Sequence, residues 1–367
     1  MLKIAYFISA HGFGHATRAG AVMAAIRQVA PSIHFEIFTQ APGWLFQDLL
    51  ADGFTLHSLL TDIGVAQLDP LVENLPLTRQ RLDAFLPFDP ALVAELAWKI
   101  NQLRCALVVC DIAPLGLAVA RAAGRPSVLI ENFTWDWIYA GYTDREPRLK
   151  PHIAYLQEVF ASADYRIQTE PAFPAASAHL VTRPVSRAPR LSRDETRARL
   201  GLPREAPVVL VTMGGIPGTY DFWGQLIEYP QVNFIVPGGC ETATRRGNLV
   251  RMPQRSDFFH PDLVNACDAV VGKAGYSTVA EVYHADRPFG YVPRERLCET
   301  SVLKAFIKSE MQGIEIGEPE FKAGAWVARL PQLLALPRSP RPALNGAAQA
   351  ADFICRIVQA PADGSGA

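Results

Sequence analysis

The chain has 367 residues, 49% of them hydrophobic and 19% charged, which is too apolar and too weakly charged for a disordered chain. At about 150 residues per domain it is long enough for two domains with separate cores. Thirty-five Lys plus Arg against thirty-six Asp plus Glu leave a formal charge of −1, so no global positive field exists for nucleic acid and any anion site has to be local. The six cysteines, Cys105, Cys110, Cys240, Cys267, Cys298 and Cys355, contain no C-x-x-C pair and read as small buried hydrophobes. No apolar run approaches the roughly 18 to 20 residues that span a bilayer, and no apolar leader with a cleavage site follows the first residues. The expectation is a cytoplasmic protein without a transmembrane segment; peripheral membrane contact and oligomeric state stay open.

Short runs rich in Val, Ile and Phe alternate with segments of helical periodicity, the pattern of parallel sheets covered by helices. In chain order the first half predicts strands at 3–9, 34–39, 106–110, 127–130 and 165–168, with helices at 17–29, 43–50, 91–103, 114–123 and 149–160. The second half predicts strands at 208–212, 233–236, 269–271 and 289–292, with helices at 262–266, 278–284 and 301–309. Residues 182–205 hold three prolines and seven arginines and predict an exposed connector with a short helix inside, its arginines forming a solvated face. The division is 1–182, a linker at 183–205, 206–343, a last helix at 344–359 packing back on the first domain, and a frayed tail at 360–367.

The first strand runs into Ser9-Ala10-His11-Gly12-Phe13-Gly14-His15-Ala16-Thr17-Arg18. In an open parallel sheet this loop faces the ligand crevice. Thr17 stands where a dinucleotide fingerprint needs its third glycine, and Glu36 lies inside the second strand rather than at its end, so NAD binding is disfavoured. What stands instead is a glycine turn presenting His11 and His15, residues suited to taking a proton from a hydroxyl near neutral pH. The strand ending Val108-Val109-Cys110-Asp111 brings a carboxylate to the same edge, and a carboxylate on one imidazole nitrogen raises the basicity of the other. The competing readings are a helix-capping histidine and an Asp111 that caps the helix after Pro114.

In the second half, Asp268-Ala269-Val270-Val271-Gly272-Lys273-Ala274-Gly275-Tyr276-Ser277-Thr278-Val279-Ala280-Glu281 reads as strand, glycine turn and helix start. Such a start binds anions through its amides and dipole, well matched to a pyrophosphate. Thr278 to Glu281 fits the capping box T-x-x-E. The loop after Val211-Thr212-Met213 carries Gly214 and Gly215, which permit close approach of a ligand to the backbone. Neither loop is a P-loop.

Asp268 to Glu281, with Arg287-Pro288-Phe289 and Pro293-Arg294-Glu295-Arg296-Leu297-Cys298-Glu299-Thr300, resembles the donor domain of GT-B glycosyltransferases, in particular the peptidoglycan UDP-N-acetylglucosamine transferase and the galactolipid synthases. The first half, with His11 to Arg18, Cys110-Asp111-Ile112-Ala113-Pro114 and Asn132-Phe133-Thr134-Trp135-Asp136-Trp137-Ile138-Tyr139, resembles the glycosyltransferase-like region of plant L-arabinokinases. The resemblance implies a GT-B fold, two Rossmann-like doubly wound α/β domains facing each other across a cleft. It implies His15 as general base with Asp111 as its partner. Gly14, Gly214, Gly215, Met252, Lys273, Gly275, Ser277 and Thr278 would hold the donor diphosphate or nucleotide, and Glu281 the ribose. Glu299 and Thr300 fall where the family contacts the donor sugar, though Cys298-Glu299-Thr300 replaces the usual Gln or Asp-Gln. His11, Arg18, Trp135 and Asp136 are the acceptor candidates; the tryptophans could equally be core.

The implied reaction is an inverting, metal-independent transfer from a nucleotide diphosphate sugar, UDP-linked by resemblance, to an acceptor hydroxyl. No Asp-x-Asp triplet occurs, and no metal, further cofactor or nucleic-acid partner is expected. The alternatives are a nucleotide-sugar sensor or vestigial module without turnover, and a hydrolysing nucleotide-sugar 2-epimerase, which needs carboxylates rather than a histidine near the anomeric carbon.

Overall fold

The computed structural model describes residues 1–69, 72–174, 177–214, 222–338 and 344–359. The chain divides into two compact units. The first comprises Met1–Ala66, Asn74–Val185 and the chain from Leu344 on; the second comprises Gln67–Glu73 and Ser186–Ala343. Each is built on a largely parallel sheet of Rossmann type.

The strands are β1 (Lys3–Ile8), β2 (His34–Thr39), β3 (Phe54–Ser58), the short hairpin β4 (Gln67–Asp69) and β5 (Val72–Glu73), β6 (Cys105–Asp111), β7 (Ser127–Glu131), β8 (Tyr165–Thr169) and β9 (Leu180–Thr182), then β10 (Val208–Thr212), β11 (Asn233–Pro237), β12 (Thr244–Arg246), β13 (Leu249–Met252), β14 (Ala269–Lys273), β15 (Phe289–Val292) and β16 (Gly313–Glu315). In the first unit the order is β3-β2-β1-β6-β7-β8-β9, parallel throughout. In the second it is β12-β13-β11-β10-β14-β15-β16, with only the β12 to β13 pairing antiparallel. The central strands are buried on both faces, which is why they appear in the sequence as continuous apolar runs.

The last helix, Gly346–Gln359, packs on the helix Gly14–Val29, its Ala347, Ala350, Ala351 and Ile354 joining the core with Ala16, Ala19, Val22 and Met23. Small residues on both helices allow that close approach. The expected tail at 360–367 lies outside the described residues.

The stretch expected as an exposed connector is instead part of the second unit from Ser186 on. Ser192 and Glu195 form a capping box on the helix Arg193–Arg199. Three of the seven arginines turn inward rather than facing water. Arg197 is 1% exposed and donates to the carbonyls of Ala266, Arg204 and Ala206 and to Asp268. Arg193 also binds Asp268, and Arg187 binds Glu281. A guanidinium has enough donors to close several loop ends at once, a use that composition alone does not distinguish from a solvated face.

Candidate functional site

At the carboxyl edge of the first sheet, β1 and β6 lie in register with Ile8 opposite Asp111. The chain leaving β1 turns at Gly12, whose φ of +69° suits glycine, and enters the helix at Gly14. His15 thus sits in the first turn of that helix, and its Nδ1 lies 3.0 Å from Asp111 Oδ1. Neither residue caps a helix: Phe13 and Ala113 occupy the two N-cap positions. With the Nδ1 proton donated to Asp111, Nε2 carries the lone pair a general base needs.

The same carboxylate is gripped by Arg18, Nε to Oδ2 at 2.8 Å and Nη2 to Oδ1 at 2.6 Å, while Nη1 donates to Asn132 Oδ1 and Thr169 Oγ1. Burial alone would raise the Asp111 carboxyl, but the charge and hydrogen bonds of Arg18, with the bond to His15, outweigh it and hold the group below its ordinary value. Arg18 is 1% exposed; expected as an acceptor contact, it is a buried clamp on Asp111. Trp135 is corrected likewise. At 2% exposure its ring is stacked on Tyr139 and meets His11, His15 and Phe133 at steep angles, so it walls the site instead of offering a stacking face. Asp136 is partly buried with its carboxyl raised, chiefly by burial. His11 packs against Gly64 and donates its amide to Ser9 Oγ at 3.2 Å.

Sequence reading missed the carboxylate behind this loop. Asp62 Oδ1 accepts from Ser9 Oγ at 3.1 Å, its Oδ2 has no hydrogen-bond partner, and burial pushes its carboxyl up to about 7, with Ser9 and the Trp135 indole offsetting only part of that effect. Glu131, at the end of β7, is also raised to about 7 by burial, and its Oε2 is unpaired. Neither residue stands in a motif that local sequence could flag.

In the second unit, Gly275 is the N-cap of the helix Tyr276–Ala285, and the first helical bond runs from Val279 N to Gly275 O at 3.0 Å. The positive helix end therefore falls at Gly275, Ser277 and Thr278. The capping box expected at Thr278 is not formed, since Thr278 already lies inside the helix. Glu281, in the second turn, instead binds Arg187 (Nε at 2.9 Å, Nη2 at 2.8 Å) and His260 Nδ1 at 2.8 Å. Burial works against ionisation there, yet the Arg187 charge and the His260 hydrogen bond prevail and bring Glu281 down to about 2. His260 Nε2 reaches Thr212 Oγ1 at 3.4 Å, so Arg187, Glu281 and His260 tie the segment at Arg187 to the end of β10; Arg187 and His260 were not expected from sequence.

Lys273 closes β14 beside Gly214 and Gly275, each of which would place a Cβ 3.8 Å from its side chain. Gly214 has φ +76°, whereas Gly215 lies outside the described residues. Met252, expected at the donor, has its side chain 2% exposed in the core; its carbonyl accepts from Gly239 N at 3.1 Å and its Sδ from Ser256 Oγ at 4.0 Å. Glu299 pairs with Arg294 Nη2 at 3.4 Å, and Thr300 Oγ1 donates to Arg294 O at 2.6 Å.

Among the described residues no helix is long and apolar enough to cross a membrane, and no group of three or more His, Cys, Asp or Glu is placed to hold a metal ion. The chain is 27% identical over 373 residues to an L-arabinokinase of Arabidopsis thaliana, a match covering 99% of this chain but 35% of that protein, so the chain spans about a third of that relative's length. Among solved structures it resembles the glycotransferase of kitacinnamycin, with a TM-score of 0.67 at 14% identity over 96% of this chain and 98% of that one. It also resembles UGT89C1 of Arabidopsis thaliana, complexed with UDP-L-rhamnose, at 0.62 and 13% over 97% and 98%. These likenesses carry the GT-B fold. The description of glycosyl transferase family 1 matches residues 2–331, and on that match the chain belongs to glycosyl transferase family 1.

Proposed function

We propose that the protein is an inverting glycosyltransferase that needs no metal and moves a sugar from a nucleotide diphosphate sugar, UDP-linked, to an acceptor hydroxyl. The observation that carries the reading is the His15 to Asp111 hydrogen bond at a sheet edge, on a carboxylate kept ionised by Arg18. His15 takes the acceptor proton as the hydroxyl attacks the anomeric carbon from the face opposite the leaving group, a role that contributes about 10² to 10⁴ in rate. The helix end at Gly275, Ser277 and Thr278, with Lys273 and Gly214, stabilises the charge developing on the departing diphosphate. Glu281, oriented by Arg187 and His260, takes the ribose hydroxyls on its remaining lone pairs, and Glu299 and Thr300 lie toward the donor sugar. The first unit is then the acceptor domain and the second the donor domain. UDP as the carrier is supported by the UDP-sugar in the similar UGT89C1 complex and by the donor motif's likeness to the peptidoglycan transferase.

The test is a thermal-shift panel of UDP, GDP, dTDP, ADP and CMP with and without EDTA, followed by incubation with labelled nucleotide sugars. UDP is expected to stabilise most, by about 2.7 kcal/mol at 100 times its Kd, and EDTA to leave the shift intact. No shift with any nucleotide would remove the donor site. A second reading, a nucleotide-sugar sensor without turnover, is favoured by one observation: the curated relative carries the matching region within a longer protein named for kinase activity. Binding without transfer or hydrolysis of any donor would select it.

A further inference from the structure

At the carboxyl edge of the second sheet two cations lie near one carboxylate, which pairs with only one of them. Lys273 ends β14 in register with Val292 of β15, and the chain leaving β15 brings Arg294 to the same place. Glu299, at the start of the helix Glu299–Glu310, pairs with Arg294. Arg294 Nε is buried and has no hydrogen-bond partner, and no hydrogen bond or ion pair is formed by the Lys273 ammonium among the described residues. Two positive groups against one negative leave an excess buried charge among the described residues, which is costly unless an anion completes the site or the lysine gives up its proton. The Lys273 side chain lies beside Gly214 and the helix end at Gly275, where backbone dipoles also favour an anion.

We propose that Lys273 and Arg294 form a proton-coupled diphosphate pocket: the ligand's β-phosphate seats between them, and one proton from solvent joins Lys273 as it binds. The inference rests on the nucleotide-sugar reading and adds the linkage. Burial first, and the neighbouring Arg294 charge second, bring the Lys273 ammonium down to about 7, while Glu299 pulls weakly the other way. Among the described residues these are the charged groups acting on it. From the helix His260–Ala266, His260 meets β10 at Thr212 and is tied to Glu281, whose charge Arg187 already balances. A diphosphate supplies the missing negative charge, restores the lysine to its cationic form, and makes the pocket strong for the charged leaving group. Deprotonation then accompanies its release.

Calorimetric titration at pH 8 with UDP, inorganic pyrophosphate and uridine, in Tris and in HEPES, tests this. For UDP and pyrophosphate the apparent enthalpy in Tris and in HEPES should differ by close to the difference between the two buffers' ionisation heats for one proton. The difference should nearly vanish at pH 6, and affinity should fall toward tenfold per pH unit above 7. Lys273→Arg should keep UDP affinity flat between pH 6 and 8.5 with no proton taken up, and Lys273→Met should lose both uptake and at least tenfold in affinity. UDP binding with no buffer dependence in the parent overturns the inference and leaves the nucleotide site standing. Pyrophosphate binding with uptake but no preference for any nucleotide keeps the pocket and removes the nucleotide-sugar reading; failure of both ligands to bind overturns both.

Discussion

Arg18 and Asp111 form a two-point ion pair in which neither side chain is more than 1% exposed, and the pair is made on the carboxylate that also holds His15. Sequence spacing alone joins His15 to Asp111; the buried guanidinium changes what each substitution there does. Asp111 is at once the partner of a histidine and the counter-charge of a buried cation.

Asp111→Asn should therefore unfold the protein more readily as well as impair it. Removing one member of a buried pair strands the other, at a cost of about 3–5 kcal/mol. In urea unfolding at pH 7 the single variant should lose that amount, and the double replacement Arg18→Met with Asp111→Leu, which removes both charges, should regain much of it. A single variant within about 1 kcal/mol of the parent would show that the pair is not held as described.

His15→Ala is the cleaner probe of chemistry, because it leaves the Arg18 to Asp111 pair in place. Transfer should fall by about a hundredfold or more, with UDP affinity close to the parent and a smaller loss of stability than Asp111→Asn shows. His11→Ala should cost less, since His11 packs on Gly64 and Trp135, whereas His15 holds the Asp111 hydrogen bond. Full transfer by the His15 variant would sink the base assignment.

Much of the fold was legible because buried parallel strands and amphipathic helices leave local patterns: strands expected at 34–39, 208–212 and 289–292 match β2, β10 and β15 in both ends. Short or edge strands such as β9 and β16 went unseen, for three residues carry no periodicity. In the site, the glycine turn and strand-end Asp111 were readable. The inward arginines, the partners of Glu281 and the buried Asp62 were not, because each acquires its role from residues far away in the chain. Glu281 makes the point: T-x-x-E is a sound capping signal, but the helix begins at Tyr276, and tertiary contacts with Arg187 and His260 took the carboxylate instead.

That pairing reverses the expectation for Glu281→Gln. A cap would tolerate glutamine, whereas a buried carboxylate balancing Arg187 does not. Its carboxyl is lowered from an ordinary value near 4.5 to about 2, so it contributes stability present above the unfolded value and lost as pH falls through the folded one. The variant should be about 3 kcal/mol less stable at pH 7, with the gap narrowing as pH falls toward 2. Guanidinium unfolding at pH 7 and pH 3 measures it; an equal gap at both would refute an ionised, paired Glu281. UDP affinity of the folded variant should drop by roughly tenfold.

Asp62 has the opposite sign. Its carboxyl is raised from 3.8 to about 7, by burial foremost and by the Asp111 charge beside it, against the Ser9 hydrogen bond and the nearby Trp135 indole. The folded state therefore holds a proton that the unfolded chain has released, and stability is full below the unfolded value and lost as pH rises through about 7. Asn is the same shape, still accepts the Ser9 hydrogen bond on Oδ1, and has no proton to lose. Asp62→Asn should gain on the parent by about 2–3 kcal/mol between pH 5 and pH 8, the integral of that single titration. The change in the gap is the diagnostic, because a fixed offset from placing an amide next to the Trp135 N–H shifts both ends equally. Two carboxyls at the carboxyl edge of the first sheet would then titrate far apart, Asp111 ionised throughout by Arg18 and Asp62 holding its proton below about pH 7 through burial. A gap that stays constant from pH 5 to pH 8 would mean that Asp62 is ionised throughout and that an unseen partner balances it.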